Sequence, residues 1–211
     1  MKENIKYIYN RGINKDEIFI NNYDKERFLI CLYKFNNVDK SIRDRSKEFF
    51  NDPYPQKKLV EILKWTLMPN QYHLILKEKV PGGITEFIRR LSNGYTRYFN
   101  INHNKKGYLF EGRTQMVKLE TKEQFLYLPL YVDLAPLDQY YPNWRKIGVH
   151  NPEKALELLA DYDWSSFYDY SHDEPRDYRQ IINKQAFFDS FRTTQQKYRE
   201  ELLKLMKEPM V

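Results

Sequence analysis

Cysteine is nearly missing: Cys31 is the only one among 211 residues. A single cysteine excludes an internal disulfide and any cysteine-based zinc cluster. It lies in the apolar run Phe28-Leu29-Ile30-Cys31-Leu32, where a thiol reads as core filler. So little cysteine suits a reducing compartment. Long apolar runs are missing too, since no stretch approaches the ~20 residues a membrane span requires. The opening MKENIKYIYN has no apolar h-region, so no signal peptide is expected. Together these absences predict a cytoplasmic chain with no membrane partner. Internal repeats and low-complexity tracts are also lacking.

The chain is 30% charged and 16% aromatic, with a formal net charge of +6. It is too aromatic for a disordered polymer. The length suits one domain, or one domain with an appendage, and can bury a core without staples. The positive balance tilts the partner toward an anion, though many enzymes reach such a charge.

Hydrophobic periodicity orders the elements. Lys6 to Tyr9 is a short strand ended by Asn10-Arg11-Gly12. Asp24 to Phe35 carries Phe28, Cys31, Leu32 and Phe35 on one helical face. Residues 36–56, broken by Pro53 and Pro55, read as a loop. Leu59 to Leu67 and Tyr72 to Lys77 flank the turn Met68-Pro69-Asn70 and predict a hairpin. After Pro81-Gly82-Gly83, the series Ile84, Phe87, Ile88, Leu91, Tyr95, Tyr98 and Phe99 predicts a long helix. A basic, aromatic loop over 102–113 follows, then a brief strand from Met116 to Leu119. Thr121 with Gln124 forms a capping box that opens a helix to about Leu134, stopped by Pro136. Residues 135–150 read as irregular. A short helix near Lys154 to Ala160, the aromatic patch DWSSFYDY and one amphipathic terminal helix carrying Phe187 through Met206 complete the chain. This order predicts an α+β fold, an antiparallel sheet flanked by helices with a helical C-terminal tail. The expected division is a core over 1–140 and a helical extension over 141–211, packed on or next to it.

Three groups could carry chemistry. Gln71 and His73 are two apart on a strand, so they point to one face and can converge on one ion. Tyr131 lies on the helix capped by Thr121. Arg89, Arg90, Asn93 and Arg97 share the polar side of the long helix, interleaved with Tyr95 and Tyr98 and continued by Lys105, Lys106, Tyr108, Phe110 and Arg113. Arginines that track phosphates and aromatics on which bases stack suit a single strand. Each group has a plainer reading. His73 can be a half-buried strand histidine, Tyr131 one packing aromatic among 18 tyrosines, and the arginines a solvated face. Trp164, Phe167 and Tyr170 read as tail packing.

The ordered series MPNQYHLILK, GGITEFIRRLSNGYTRYFN, KKGYLFEGR and LYVDLAP resembles the REP-associated and insertion-sequence single-tyrosine transposases of the HUH class. YNRGINKDEIF and DWSSFYDY fit as well, so the resemblance covers nearly the whole chain. It implies a ferredoxin-like core that recognises single-stranded or hairpin DNA as a monomer or homodimer. In that family a histidine-hydrophobic-histidine strand holds a divalent metal. A tyrosine on a separate helix attacks a DNA phosphate, leaving a phosphotyrosine and a free 3′-hydroxyl, and a polar residue four positions later completes the metal site. Carried onto this chain, the nucleophile falls on Tyr131 and the second histidine on His73. The first histidine position is Gln71 and the polar position is Ala135.

The departures decide what is expected of the site. A tyrosine hydroxyl titrates near ~10 and is a weak nucleophile at neutral pH. A metal that polarises the phosphate offsets that weakness. Gln71 offers a carbonyl oxygen acceptable to Mg or Mn. Ala135 offers nothing, and Asp133 projects from another helical face. The leading expectation is therefore a protein that binds single-stranded or hairpin DNA with an impaired cutting centre. An active transposase using Gln71 and His73 with Mg or Mn, and a domesticated module for RNA or protein, remain as alternatives. A metal is expected only in an active form. His73, Gln71 and Tyr131 should face one shallow cleft, and positions 71 and 135 should both be open enough to accept polar ligands.

Overall fold

The computed structural model describes residues 4–39, 57–174 and 176–207. Most of the loop expected over 36–56 lies outside them. Among the described residues, four strands form one antiparallel sheet: β1 (Ile5–Arg11), β2 (Val60–Met68), β3 (Gln71–Glu78) and β4 (Gln115–Lys118). Their spatial order is β2-β3-β1-β4. The hairpin between β2 and β3 turns at Pro69-Asn70, and the segment after β1 straps that turn. Gly12 N–H donates to Asn70 O at 2.9 Å, and Ile18 and Phe19 both donate to Pro69 O. Gly12 is required there, because a Cβ would stand 2.1 Å from the Asp16 carbonyl oxygen.

Helices α1 (Asn22–Lys34) and α2 (Gly83–Asn102) cover one face of the sheet. A capping box of Asn21 and Asp24 opens α1. Phe28 on α1 packs against Tyr72 on β3, centroids 4.9 Å apart, and against Tyr95 on α2 at 5.0 Å. Buried Asp24 ties the two helices together, accepting from Tyr98 Oη at 3.1 Å and pairing with His103 Nε2 at 2.9 Å.

The other face is covered by α3 (Lys122–Leu134) and by the C-terminal helices. The Thr121 capping box expected from sequence opens α3, and Pro129 lies inside it. Thr66 on β2 donates to Val132 O on α3 at 2.8 Å. Beside it, Lys64 Nζ meets Asp133 Oδ2 at 2.6 Å, both side chains fully buried. Residues 135–150 are more regular than expected, holding the single-turn helices α4 (Leu137–Tyr140) and α5 (Trp144–Ile147). Next come α6 (Pro152–Ala160) and α7 (Phe167–Ser171). The single terminal helix read from the apolar series is two, α8 (Lys184–Phe191) and α9 (Gln195–Lys207). Arg192 breaks them apart in the left-handed conformation, φ 49°, a local turn that an apolar periodicity does not encode.

The outer edge of β2 is dressed by the tail. Leu67 N–H donates to Trp164 O, Ser166 N–H to Trp65 O, and Thr66 bridges Ser165. Tyr170 Oη donates to Leu63 O, and Asn183 N–H to Ile62 O at 3.0 Å. The DWSSFYDY patch is thus largely packing, with Phe167 and Tyr170 buried. One hydrophobic cluster runs continuously from the strands to Leu202 and Met206. No helix is long and apolar enough to cross a membrane among the described residues.

Candidate functional site

Strand alternation places Gln71 and His73 on the α3 face of the sheet, with Tyr72 between them facing α1 and α2. Tyr9 lies across from His73, and Tyr7 across from Ile75. These side chains form one wall of a cleft of about 640 Å³, and Gln124, Leu128 and Tyr131 of α3 form the other. Gln71, His73 and Tyr131 are therefore brought together. Ala135 is not among the lining residues. It caps the C-terminus of α3 and is 1% exposed. The expectation of an open position there is corrected: the helix ends against the core at that point.

His73 is 3% exposed and enclosed by aromatic rings. The Tyr7 ring stacks at 5.9 Å and Tyr9 at 6.3 Å, while Tyr131 meets it edge-on at 5.9 Å. Nδ1 shares a 2.7 Å hydrogen bond with Tyr7 Oη. Nε2 is buried with no hydrogen-bond partner. Burial drives the imidazole pKa down to about 4, with the Arg145 charge helping and Asp138 opposing. The ring is therefore neutral at physiological pH. Burial and the neighbouring tyrosines push the Tyr7 hydroxyl pKa up, so Tyr7 stays protonated.

Arg145, on α5, drew no attention in the sequence. Its guanidinium lies 4.5 Å from the Tyr131 ring centroid and 4.7 Å from that of Trp144. Asp138 holds it through Nε at 3.1 Å and Nη2 at 3.0 Å, and also accepts from Trp144 Nε1 at 2.7 Å. No motif marks this residue. Its placement depends on two short helical turns in a stretch that reads as irregular, so only tertiary structure brings it to the tyrosine.

Does the donor set suit a divalent ion? His73 Nε2 is available, and Gln71 lines the cleft beside it. Two other polar residues in the cleft are committed. Glu111 is ion-paired with Arg11, and Gln124 Oε1 accepts from the backbone of Glu120 and Thr121. Among the described residues no group of three His, Cys, Asp or Glu side chains could hold a metal. Mg or Mn prefers about six oxygen-rich ligands, with at least one carboxylate common. One imidazole and one amide near a fixed guanidinium do not fit that requirement.

The basic surface divides. Arg89, Arg90, Asn93, Arg97 and Tyr98 all belong to α2, across the sheet from Tyr131, so the structure does not bring them to the cleft. Glu86 engages both Arg89 and Arg90, each at 2.8 Å, and Arg90 also donates to Asn37 O. Tyr98 is spent on Asp24, with the Arg27 guanidinium 5.5 Å over its ring. The loop carrying Lys105, Lys106 and Arg113 is different. All three are exposed, and the loop joins the cleft end of β1, where Glu111 N–H donates to Arg11 O at 2.8 Å.

Residues 21–123 match the family model described as "Transposase IS200 like". This stretch of the chain is similar to IS200-like transposases, in agreement with the resemblance carried by its motifs. It contains Gln71 and His73 and ends before Tyr131. Among solved structures, the chain is similar to one titled "Structure of the REP associates tyrosine transposase bound to a REP hairpin". The two share 12% identity over 80% of this chain and 78% of that one, with a TM-score of 0.45. No curated protein matches the chain.

Proposed function

We propose that this chain binds single-stranded or hairpin DNA at the cleft between the sheet and α3, and that its ancestral metal-dependent cutting centre is impaired. The convergence of His73, Gln71 and Tyr131 on that one cleft carries the reading. The IS200-like sequence over 21–123 supports it. So does the exposed basic loop at the same end of the sheet, whose Lys105, Lys106 and Arg113 can follow a phosphate backbone while exposed Tyr108 offers a stacking face. Impairment follows from the donors: Ala135 contributes none, and Gln71 stands where an imidazole is required.

In the ancestral reaction the Tyr131 oxygen would form a bond to phosphorus as the bond to the 3′-oxygen breaks. The leaving oxygen takes a proton, and reversal rejoins the strand. Binding needs none of those steps. Tyr131→Phe should therefore bind a DNA hairpin within about twofold of the parent, and neither protein should yield a tyrosine-linked product with Mg or Mn. Electrophoretic mobility and a nicking assay on the same hairpins check both points. Metal-dependent covalent product from the parent, absent from Tyr131→Phe, would show a working transposase. Preference for RNA of the same sequence would show a module of another kind.

A further inference from the structure

We infer that Arg145, which packs on the Tyr131 ring beside the residues that line the cleft, binds a phosphate at that margin, supplying with its guanidinium the positive charge for which the cleft lacks metal ligands. The inference rests on the reading of the cleft as a nucleic-acid site and names the group that would hold the backbone there.

Three observations converge. The guanidinium lies 4.5 Å from the centre of the Tyr131 ring. The Tyr131 ring on which it lies meets the Tyr7 and His73 rings edge-on, with centroids 6.2 Å and 5.9 Å away. It is also fixed in place: Asp138 grips one edge through Nε and Nη2, and the Trp144 ring supports one face. A planar fork held in this way is suited to an anionic tetrahedral oxygen group and loses little freedom on binding it. Asp138 also moderates the charge when no anion is bound. The side chain is 25% exposed, so an incoming phosphate can reach it.

His73 supplies the second, independent mark. Its Nε2 is buried and unpartnered, and such a group in a cleft calls for a partner. When the Tyr7 hydroxyl donates to Nδ1, Nε2 carries the remaining proton and becomes a donor. A phosphoryl oxygen satisfies that donor, and a metal ion does not. In that tautomer the Tyr7-His73 pair and Arg145 both suit an anion.

The experiment uses the full chain with uniform nitrogen-15 labelling. The Arg145 Nε–H resonance is assigned by its loss in Arg145→Lys and followed as inorganic phosphate replaces chloride at constant ionic strength. A saturable shift with phosphate alone is expected, and an unmoved resonance overturns the inference. Manganese titrated without DNA should find no tight site. A manganese site that disappears in His73→Ala overturns the claim that arginine stands in for metal. With hairpin DNA, Arg145→Ala should bind about tenfold more weakly. Its salt dependence should be shallower by about 0.7, the loss of one single-strand phosphate contact. EDTA should change neither value, and Arg145→Lys should recover part of the affinity. Equal hairpin affinity in Arg145→Ala and the parent defeats the arginine assignment and leaves the DNA reading standing. A phosphate-dependent shift in a chain that binds no hairpin defeats the DNA reading and leaves the phosphate site standing.

Discussion

His73 and Ala135 show how far a position in a motif can differ from its surroundings. The sequence puts His73 on the correct strand face through simple alternation. It cannot show that three tyrosine rings enclose it, because Tyr7, Tyr9 and Tyr131 come from distant parts of the chain. That enclosure has a pH consequence. With a folded pKa near 4 against about 6.5 unfolded, the unfolded chain takes up the proton first as pH falls. The contribution is complete above about pH 6.5 and is lost on descending toward 4, with a total on the order of 3 kcal/mol. Urea midpoints for the parent and His73→Asn at pH 7.5 and 4.5 test this. The parent should lose more stability between the two, and parallel losses would refute it. At Ala135 the packing reverses the expectation of tolerance. Ala135→Asn would force an amide into a site that is 1% exposed. It should cost about 1–3 kcal/mol by overpacking and unpaired polar atoms, seen as a lower thermal midpoint. Gln71→His, at the half-buried end of β3, should cost far less.

Periodicity located the two helices on the Tyr72 face, because each buries a regular apolar face, whereas β2 is buried throughout and β4 is largely exposed, so β-prone composition and the turn marked them instead. The capping box at Thr121 was legible for the same local reason. The side of the sheet that each helix covers was not legible. Arg89 and Arg97 lie on a convincing polar stripe, yet α2 packs on the Tyr72 face while Tyr131 occupies the His73 face. Only the basic loop reaches the cleft end of the sheet. Replacing Lys105, Lys106 and Arg113 together by alanine should therefore weaken hairpin binding more than replacing Arg89 and Arg97. The triple variant should also show the greater loss of salt dependence. Fluorescence anisotropy over a salt series distinguishes them, and a larger effect from the helix pair would place the DNA on the α2 face.

Across the whole molecule, the tail is interwoven with the sheet. It covers the β2 edge that would otherwise present unpaired backbone to other chains. Its last helix also reaches into the core beside the tyrosine helix: Tyr198 Oη donates to Asp133 Oδ2 at 2.8 Å, alongside the Lys64 ammonium. That ammonium lies 3.8 Å from the Tyr170 ring centroid, 4.6 Å from Phe187 and 4.5 Å from Tyr198. The apolar series in the tail announced that these aromatics would pack, but nothing local announced a lysine as what they enclose. Lys64 is consequently a reporter of the tail's attachment. An amine-acylating reagent can modify it only when α7, α8 and α9 lift away, so its labelling rate measures a local opening. Peptide mass spectrometry over a reagent time course should find Lys105 and Lys106 modified long before Lys64. Tyr198→Phe, which removes the hydrogen bond to Asp133, should speed Lys64 labelling several-fold. Labelling of Lys64 as fast as the loop lysines would mean the tail spends much of its time undocked, with the tyrosine helix unsupported from behind.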